Sequence, residues 1–569
     1  MRSQRWVFFQ LLIISFLVDS AVLFGETVAD AAAACAAADR AALLGFKTAI
    51  VQDTTGVLST WVGTDCCAWE GVQCNEATGR VISLQIQRLN DEGKSGYMKG
   101  TLSPSLGNMP FLEVIMLSGL KQIKGVIPES YTKIQGLTVL VLENMMLQGT
   151  VPSSLGQLHL LQALSLSGNR LQGQLPATLG GLTSLIQMNF GSNFITGTIP
   201  SSYKSLQKLQ YLDLGHNLLS GAIPAFLEQL QALTYLDLSA NRFSDQIPTG
   251  LCNLKRAGFI DLSQNNLTGE IPNQIGNLQS LTTLSLAHNH LTGLIPPSIA
   301  KLEKLSSFNL SSNAIAGPLP IELAKGVPHL TSVDLSYNRL ALGAVPDWLR
   351  RRGLYDLHLA GCNISGTLPN FTKPESIHSI DLSDNRLTGP IDLYFKKLPN
   401  VQNIKLSNNF LASDVSKIVF PDGITLLDLH SNSLYGSLTR FLKNNPGRFI
   451  KIVDLSSNGI AGPIASSISN LTTLERLDLS RNRITGPIPQ SLGEMGALQW
   501  LDLSINRLTG SIPNSFLDLK NLKHLNLRAN GLCGQIPQGR PFNIFPPVAY
   551  AHNACLCDKP LPRCKGKKQ

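Results

Sequence analysis

The sequence repeats itself with a step of 24 residues over most of its length, and this period constrains the fold more than any other feature. The segment LDLSRNRITGPIPQSLGEMGAL, residues 477–498, is followed by LDLSINRLTGSIPNSFLDLKNL, residues 501–522. Aligned on L-x-L-x-x-N, the pattern places an Asn at nearly every step and gives about nineteen coils. A fixed period of this length predicts stacked units of one kind rather than several unrelated domains.

Each coil contains a short alternating stretch and a turn. The x-x-L-x-L-x-x stretch alternates apolar and polar residues, which predicts a strand with one buried face. Stacked coils bury one another's Leu, Ile and Val side chains and align these strands into a long parallel sheet. The LTGxIP stretch then ends the coil, because Gly permits a tight turn and Pro fixes φ.

The recurrent Asn predicts a structural role inside the stack. An amide side chain both donates and accepts, so it can satisfy backbone groups that turn inward. Cys362 takes the Asn position in one coil, and we expect it to be unbridged. Cys252 is also expected to be free, because four to five coils separate it from Cys362. That separation is roughly 20 Å, whereas a disulfide needs Cα atoms within about 7 Å.

Residues 1–34 are interpreted as a signal peptide with its processing region. Arg2 and Arg5 precede an apolar run of about 13 residues, and the small residues of ADAAAA follow at 29–34. An uncleaved anchor is the alternative, although a spanning helix needs roughly 20 apolar residues. No later segment offers such a run, so we expect no membrane span and a secreted chain. The remaining divisions are an N-terminal cap at 35–80, the solenoid at 81–532, and a C-terminal cap with a basic tail at 533–569.

Eight of the ten cysteines form two terminal groups, which indicates an oxidising compartment. Each group can close two disulfides at an end of the stack, where an apolar coil would otherwise face water. Zinc binding is the competing interpretation, but the spacing is not that of ordinary zinc ligands, and no metal or cofactor is predicted. The groups are Cys35, Cys66, Cys67 and Cys74 at the start, and Cys533, Cys555, Cys557 and Cys564 at the end.

Sequons of the form N-x-[ST] predict N-glycosylation of a secreted chain. Asn309 is the weakest of them, because the register of the repeat places it within a strand. The sequons are at Asn266, Asn309, Asn363, Asn370 and Asn470.

With LxxLxLxxNxLTGxIP across nearly its whole mature length, the chain resembles plant extracellular leucine-rich-repeat proteins. Its start, DRAALLGFKTAI to DCCAWEGVQC, is similar to the N-terminal cap of receptor-like proteins and polygalacturonase-inhibiting proteins. Its end, NGLCGQIPQGRPFNIF to LPRCK, is similar to the C-terminal cap of the inhibitors, which have fewer coils. The resemblance implies a right-handed α/β leucine-rich-repeat solenoid with a concave sheet. It also implies the pairings Cys35–Cys66, Cys67–Cys74, Cys533–Cys555 and Cys557–Cys564.

The sequence offers little that could carry out catalysis. It has no G-x-S-x-G or H-E-x-x-H motif, and Arg88 stands where a phosphate loop ending in GKS would need Gly. No enzyme is therefore predicted.

Basic residues at 350–352, at 396–397 and in the KGKK tail contribute to a net charge of +9, which makes an acidic wall polysaccharide such as pectin a candidate partner. A solvated rim explains them equally well, and export excludes nucleic acid.

The polar positions of the concave strands are free of the core and can recognise a partner. One column predicts an aromatic stack about 5 Å apart, of the kind that anchors protein interfaces, with shielding of the strands as the alternative. Another carries a row of aspartates that favours a basic partner, although LDLS is common in proteins of this kind. The candidate binding residues are Tyr211, Tyr235, Phe259, Asp213, Asp237, Asp261, His216, His288, Tyr337 and Tyr355.

The preferred functional hypothesis is a secreted recognition protein of the apoplast or cell wall that acts in plant defence. Its concave face would bind a protein, such as a microbial polygalacturonase, and inhibit it. The alternative is a receptor-like ectodomain that captures a peptide and recruits a receptor kinase. A third hypothesis is surface binding, to pectin or to ice.

Overall fold

A computed structural model describes residues 34–88, 96–445, 447 and 449–564. The predicted signal peptide lies outside these residues except for Ala34, and the KGKK tail also lies outside them. From one cap to the other, short strands alternate with single turns of 3-10 helix. The repeat of the sequence is therefore also the repeat of the structure.

One continuous sheet lines the concave face. Its first two strands, Val72–Cys74 and Val81–Gln87, are antiparallel, and each later neighbour is parallel. Its parallel part has nineteen strands in the described residues, which confirms the number of coils expected from the repeat. After Val81–Gln87 these strands are Val114–Ser118, Val139–Glu143, Ala163–Ser165, Gln187–Asn189, Tyr211–Asp213, Tyr235–Asp237, Phe259–Asp261, Thr283–Ser285, Ser307–Asn309, Ser332–Asp334, Asp356–His358, Ser379–Asp381, Asn403–Lys405, Leu426–Asp428, Ile452–Asp454, Arg476–Asp478, Trp500–Asp502 and His524–Asn526.

A second set of strands follows the recurrent Asn and forms further, shorter sheets on the flank of the solenoid. Between the first and second of these sheets, the coils are joined on this flank by isolated bridges. The strands of the first sheet are Ile50–Asp53, Met98–Thr101, Gln122–Gly125, Met146–Gly149, Arg170–Gln174, Phe194–Gly197, Leu218–Ala222 and Arg242–Ser244; of the second, Ser365–Gly366, Arg386–Gly389 and Phe410–Leu411; and of the third, Tyr435–Ser437, Gly459–Gly462, Arg483–Pro487, Arg507–Gly510, Gly531–Gln535 and Cys555–Cys557.

The convex side is built mainly from 3-10 turns. In most coils a Pro in extended conformation precedes the turn, as Pro224 does with φ of −68°. The α-helices of the described residues are α1, Ala37–Ala49, in the N-terminal cap; α2, Asp347–Arg350; and α3, Leu438–Asn444. The 3-10 turns are Val57–Thr60, Cys66–Ala68, Pro104–Asn108, Glu129–Lys133, Ser153–Gln157, Ala177–Gly181, Ser201–Ser205, Ala225–Gln229, Thr249–Asn253, Asn273–Asn277, Pro297–Lys301, Ile321–Ala324, Pro374–Ser376, Phe395–Lys397, Val415–Lys417, Ser466–Asn470, Gln490–Glu494, Asn514–Asp518, Phe542–Ile544 and Pro547–Tyr550.

The recurrent Asn links consecutive coils by hydrogen bonds. Asn241 Nδ2 donates to the carbonyls of Leu214, Leu238 and Ser239 at 2.9, 3.2 and 3.1 Å. Its Oδ1 accepts from Leu219 N, in the preceding coil, at 3.0 Å. The predicted role of this Asn is thereby confirmed. The same four bonds recur at Asn193, Asn217, Asn265, Asn289, Asn385 and Asn506.

The cysteines occupy the expected roles. Cys252 and Cys362 are buried and free, and burial raises the pKa of their thiols, to about 11 for Cys252 and about 12 for Cys362. Cys362 Sγ lies 3.4 Å from Leu335 O, in the position that Asn takes in other coils. All four implied disulfides are present: Cys35–Cys66, Cys67–Cys74, Cys533–Cys555 and Cys557–Cys564.

We predict that Asn241→Ala lowers the free energy of unfolding by about 1–3 kcal/mol, because it leaves the buried N–H of Leu219 without its acceptor and removes one donor from each of three carbonyls. The control is Gln264→Ala, at an exposed position with φ of 55°. The equivalent position of the preceding coil is Ala240, with φ of 50°, so the fold accepts Ala there. The midpoint of urea denaturation measures both variants. An equal loss of stability in the two variants would contradict the role of the Asn.

Candidate binding site on the concave face

The concave strands present the same positions side by side in successive coils. In Tyr211–Asp213 the second residue, Leu212, is buried, and the first and third residues are partly exposed. Pairing in register places Tyr211 beside Tyr235 and Asp213 beside Asp237. We call these two rows the first-position column and the third-position column.

Tyr211, Tyr235 and Phe259 stack in the first-position column and form what we call the aromatic ledge. Neighbouring ring centroids are 4.2 and 4.3 Å apart, and the planes are within 8° and 4° of parallel. All three side chains are partly exposed. Burial, with the nearby charge of Asp213, raises the pKa of Tyr211, so its hydroxyl stays protonated. The rings therefore stack as expected, and their part in binding stays a prediction.

The aspartates of the third-position column bond to their own backbone. Asp237 Oδ1 accepts from Ser239 N at 2.9 Å and from Ser239 Oγ at 2.6 Å. Asp213 Oδ1 accepts from Gly215 N at 2.9 Å. Each Asp thus closes the turn that follows its strand, which is a local structural role that the sequence analysis did not assign. Asp261 bonds to Ser263 in the same way.

The hydroxyls of the aromatic ledge face this row of carboxylates. Tyr211 Oη lies 3.5 Å from Asp213 Oδ2, and Tyr235 Oη lies 3.5 Å from Asp237 Oδ2. The ledge therefore combines flat apolar rings with an acidic edge, in which Asp213 is partly exposed. Asp237 and Asp261 are buried, so the expectation that these positions are free of the core is wrong for those two aspartates. Such a surface suits a partner that offers both an apolar group and a donor.

His216, His288 and Tyr337 lie apart from the ledge. They occupy the turn before the recurrent Asn, with φ of 56°, 53° and 54°, and their side chains are exposed. Tyr337 Oη donates to Asp384 Oδ2 at 2.6 Å. The structure thus places these three candidates along one rim of the concave face.

Tyr355 belongs to the opposite rim, because it immediately precedes a strand. Its ring stacks on His378 of the next coil, with centroids 4.0 Å apart. The ten candidate residues therefore do not converge on one pocket. Six of them form the ledge and its acidic edge, and four are distributed along the two rims.

His358 takes a place in the third-position column between Asp334 and Asp381. Its Nε2 lies 2.9 Å from Ser379 Oγ, and its Nδ1 lies 3.8 Å from Asp334 Oδ2. Burial lowers the pKa of His358, but the interaction with Asp334 outweighs that effect and raises it. The alignment is like that of a serine hydrolase, yet the Ser379 amide donates to Tyr355 O within the sheet and is not available to an oxyanion.

A second stack, which the sequence analysis did not include among the candidates, is formed by Arg476, Trp500 and His524. The Trp500 and His524 centroids are 3.5 Å apart, and the guanidinium carbon of Arg476 lies 4.7 Å from the Trp500 ring. Trp500 Nε1 and His524 Nε2 are enclosed and have no hydrogen-bond partner among the described residues. The sequence could have indicated this stack, because the three residues occupy the first-position column in three consecutive coils, as those of the aromatic ledge do.

Carboxylates also line this second stack. Arg476 Nη2 lies 3.6 Å from Asp454 Oδ2 and 3.9 Å from Asp478 Oδ2. Burial, with repulsion from Asp454, raises the pKa of Asp478 to about 6. The C-terminal part of the concave face is therefore crowded with acidic groups, which Arg476 only partly neutralises.

The basic cluster at 350–352 is occupied within the chain. The Arg352 guanidinium donates to three carbonyls of the preceding coil, including Val327 O at 2.7 Å. Arg350 and Arg351 both pair with Asp347. These contacts weaken the case for this cluster as a pectin site, which stays a prediction.

The sequons differ in accessibility. Asn309 lies in a strand, partly buried, and its Oδ1 accepts from Ser311 N at 3.0 Å. That bond supports the expectation that it is the weakest of the five, and glycosylation stays a prediction. The remaining four are exposed: Asn266, Asn363, Asn370 and Asn470.

Sequence profiles define the class of the protein together with this fold. The profile described as leucine rich repeat N-terminal domain matches residues 36–75. Leucine rich repeat profiles match residues 160–182, 183–243, 258–315, 450–508 and 473–532. The chain thus contains leucine-rich repeats and a leucine-rich-repeat N-terminal cap, as its resemblance to plant extracellular proteins of this kind implied.

Particular relatives are similar over shorter stretches. The DNA damage-repair/toleration protein DRT100 of Arabidopsis thaliana is 34% identical over 116 residues, 19% of this chain and 31% of that protein. A polygalacturonase inhibitor of Vitis vinifera is 33% identical over 109 residues, 19% of this chain and 30% of that protein. The matches thus span about a third of these relatives' own length.

Solved structures match over most of the chain. The ectodomain of the Arabidopsis thaliana receptor kinase GASSHO1/SCHENGEN3, in complex with CASPARIAN STRIP INTEGRITY FACTOR 2, aligns with 32% identity and a TM-score of 0.71, covering 88% of this chain and 62% of that one. The Arabidopsis receptor kinase HAESA, in complex with the peptide hormone IDA and the co-receptor SERK1, aligns with 28% identity and a TM-score of 0.57, covering 94% and 99%. Among the described residues of this chain, no helix has both the length and the hydropathy needed to cross a membrane.

We predict that Arg352→Ala lowers the free energy of unfolding by about 1–3 kcal/mol, because it removes the guanidinium donor of the Leu323 and Gly326 carbonyls, whereas the Val327 carbonyl keeps its bond from Leu330 N. Arg351→Ala, the control, removes an exposed side chain and should change stability by less than about 0.5 kcal/mol. Thermal denaturation measures both variants. Similar melting temperatures for the two would contradict the structural role of Arg352.

We predict that the stabilisation supplied by His358 depends on pH. Because its pKa is raised by folding, its contribution is fully present below the unfolded pKa of about 6.5 and is lost as pH rises through the folded pKa. His358→Asn should therefore cost more stability at pH 5 than at pH 8, by up to about 1 kcal/mol. Urea midpoints at the two pH values test this, and an equal cost at both would refute it.

Proposed function

We propose that this protein is an extracellular recognition protein that binds a protein or peptide partner on its concave face. The observation that carries the proposal is the aromatic ledge, whose stacked rings are partly exposed beside a row of carboxylates. Rigid aromatic groups of this kind dominate the binding energy of many interfaces. The four disulfides agree with a location outside the cell.

An elongated peptide is the partner that we favour. The two aromatic stacks lie in the same column but are separated by eight intervening coils with mostly polar first positions, from Thr283 to Ile452. At about 4.8 Å per strand this is a distance of roughly 43 Å, which one extended chain can span. The receptor kinase ectodomains that align over most of this chain were solved as complexes, GASSHO1/SCHENGEN3 with CASPARIAN STRIP INTEGRITY FACTOR 2 and HAESA with the peptide hormone IDA and the co-receptor SERK1. These complexes support a role in perceiving a peptide with a receptor kinase.

Inhibition of a microbial polygalacturonase is the second candidate. Polygalacturonase inhibitors from Vitis vinifera and other plants are among the relatives, and the similarity to them is confined to parts of the chain. On this hypothesis the aromatic ledge would contact the surface of the enzyme. Pectin binding ranks below both, because Arg350, Arg351 and Arg352 are engaged within the chain.

One pair of assays separates the two candidates. In the first, the purified protein is mixed with a panel of fungal polygalacturonases and their turnover is measured. In the second, it is incubated with a receptor-kinase ectodomain and a fraction of extracellular peptides, and the complex is resolved by size exclusion. Loss of turnover supports inhibition, and a peptide-dependent complex supports perception. Failure of both would refute the proposed function.

For either partner, we predict that Tyr235→Ala weakens binding by about 2 kcal/mol, or about thirtyfold, because it removes the middle ring of the stack. Tyr235→Phe keeps the ring and should retain most of the affinity. Thr283→Ala, in the next coil of the same column, is the control. Surface plasmon resonance with the captured partner measures all three, and unchanged affinity in Tyr235→Ala would move the site elsewhere.

A further inference from the structure

We propose that Asp428, His430 and Asp454 form a binding site for a divalent first-row transition-metal ion, for which Zn²⁺ is the best-matched probe. Their donor atoms all lie within 4.8 Å of one another on the concave face, and the three side chains are partly exposed. The site contains one imidazole and two carboxylates. It lies outside the aromatic ledge and does not depend on the partner proposed above.

The repeat supplies an internal control for this site. Nine coils carry an Asp in the third-position column, and two residues later eight of them have Ser or Gly. His430 is the exception, and its amide N and its Nδ1 both lie within hydrogen-bond distance of Asp428 Oδ1, at 3.2 and 2.7 Å, as the Ser amide and hydroxyl do in other coils. A metal-binding side chain therefore stands where the fold requires only a small residue.

Hydrogen bonds from neighbouring residues already orient the two carboxylates. Asp428 Oδ2 accepts from Ser407 Oγ at 3.1 Å, and the 2.7 Å contact of Asp428 Oδ1 with His430 Nδ1 joins two of the proposed ligands. Asp454 Oδ1 accepts from Ser456 N at 3.1 Å and from Ser456 Oγ at 2.7 Å. Partners of this kind hold metal ligands in place and raise the affinity of a site.

The distances require only a small closure of the side chains. Zinc binds His nitrogen and carboxylate oxygen at about 2.0–2.2 Å, so tetrahedral donors are about 3.4 Å apart. Asp428 and Asp454 are paired in register on adjacent strands, so rotation of their side chains can bring the donor atoms to this separation.

The imidazole favours Zn²⁺ and similar ions over Ca²⁺ and Mg²⁺, which prefer oxygen ligands.

Arg476 competes with an ion for this site. Its Nη2 lies 3.6 Å from Asp454 Oδ2 and partly neutralises that carboxylate. A metal ion would have to displace the guanidinium or share the carboxylate with it. Removal of the guanidinium should therefore tighten metal binding, which is an effect that a misfolded variant would not produce.

Isothermal titration calorimetry of the purified full-length protein with ZnCl₂ tests the proposal. We expect one ion to bind at this site. His430→Ser, which installs the residue that the repeat uses elsewhere, should weaken binding at least about tenfold. Asp454→Asn should do the same, and the fold tolerates Asn in this column, as Asn309 shows. Arg476→Gln should increase the affinity.

His358→Asn is the matched control. His358 is also a concave-face histidine beside an Asp, but it is not part of the Asp428, His430 and Asp454 cluster. Its loss should leave zinc affinity unchanged, and melting temperatures verify that each variant is folded. The proposal is overturned if the wild-type protein binds no zinc, if folded His430→Ser binds as the wild type does, or if His358→Asn is the variant that loses binding.

Discussion

The hydrogen bonds of the recurrent Asn are the interaction on which the rest of the structure depends. A chain that turns inward at every coil buries backbone groups, and each one left unpaired would cost about 1–3 kcal/mol. One amide side chain, as at Asn241, satisfies three carbonyls and one N–H that belong to two coils. Because the same bonds recur along the chain, the coils stack in register instead of sliding past one another.

Because the coils stack in register, residues at the same position of successive repeats form a continuous surface. Side chains 24 residues apart in the sequence, such as Tyr211 and Tyr235, become neighbours whose rings are 4.2 Å apart. The aromatic ledge, the stack of Arg476, Trp500 and His524, and the cluster around His430 each draw their residues from two or three coils. The concave face can therefore vary its chemistry from coil to coil while the core stays the same, which is the physical basis for assigning recognition to this face.

Residues that break the pattern are more informative than those that keep it. The third-position aspartates form a conspicuous row of charge, yet each bonds to the turn that follows its own strand. His358 replaces the Asp in one coil, and His430 replaces the small residue that follows the Asp in another; they lie beside carboxylates at 3.8 and 2.7 Å. Their pKa values rise, for His358 against the effect of burial and for His430 mainly through its hydrogen bond to Asp428. These two histidines therefore hold a proton to a higher pH than a free imidazole does.

The sequence by itself determined the period, the parallel sheet, the role of the Asn, the free cysteines and the aromatic ledge, because each follows from residues at a fixed offset in every coil. The family resemblance added the disulfide pairings. Only the tertiary structure decided that Arg352 bonds to carbonyls of the preceding coil, that the aspartates cap turns, and that Asp454 lies beside His430. The reason is physical: periodicity fixes which side chains become neighbours, but their hydrogen bonds depend on side-chain torsions and on the particular residues one coil away, which vary where the repeat is irregular.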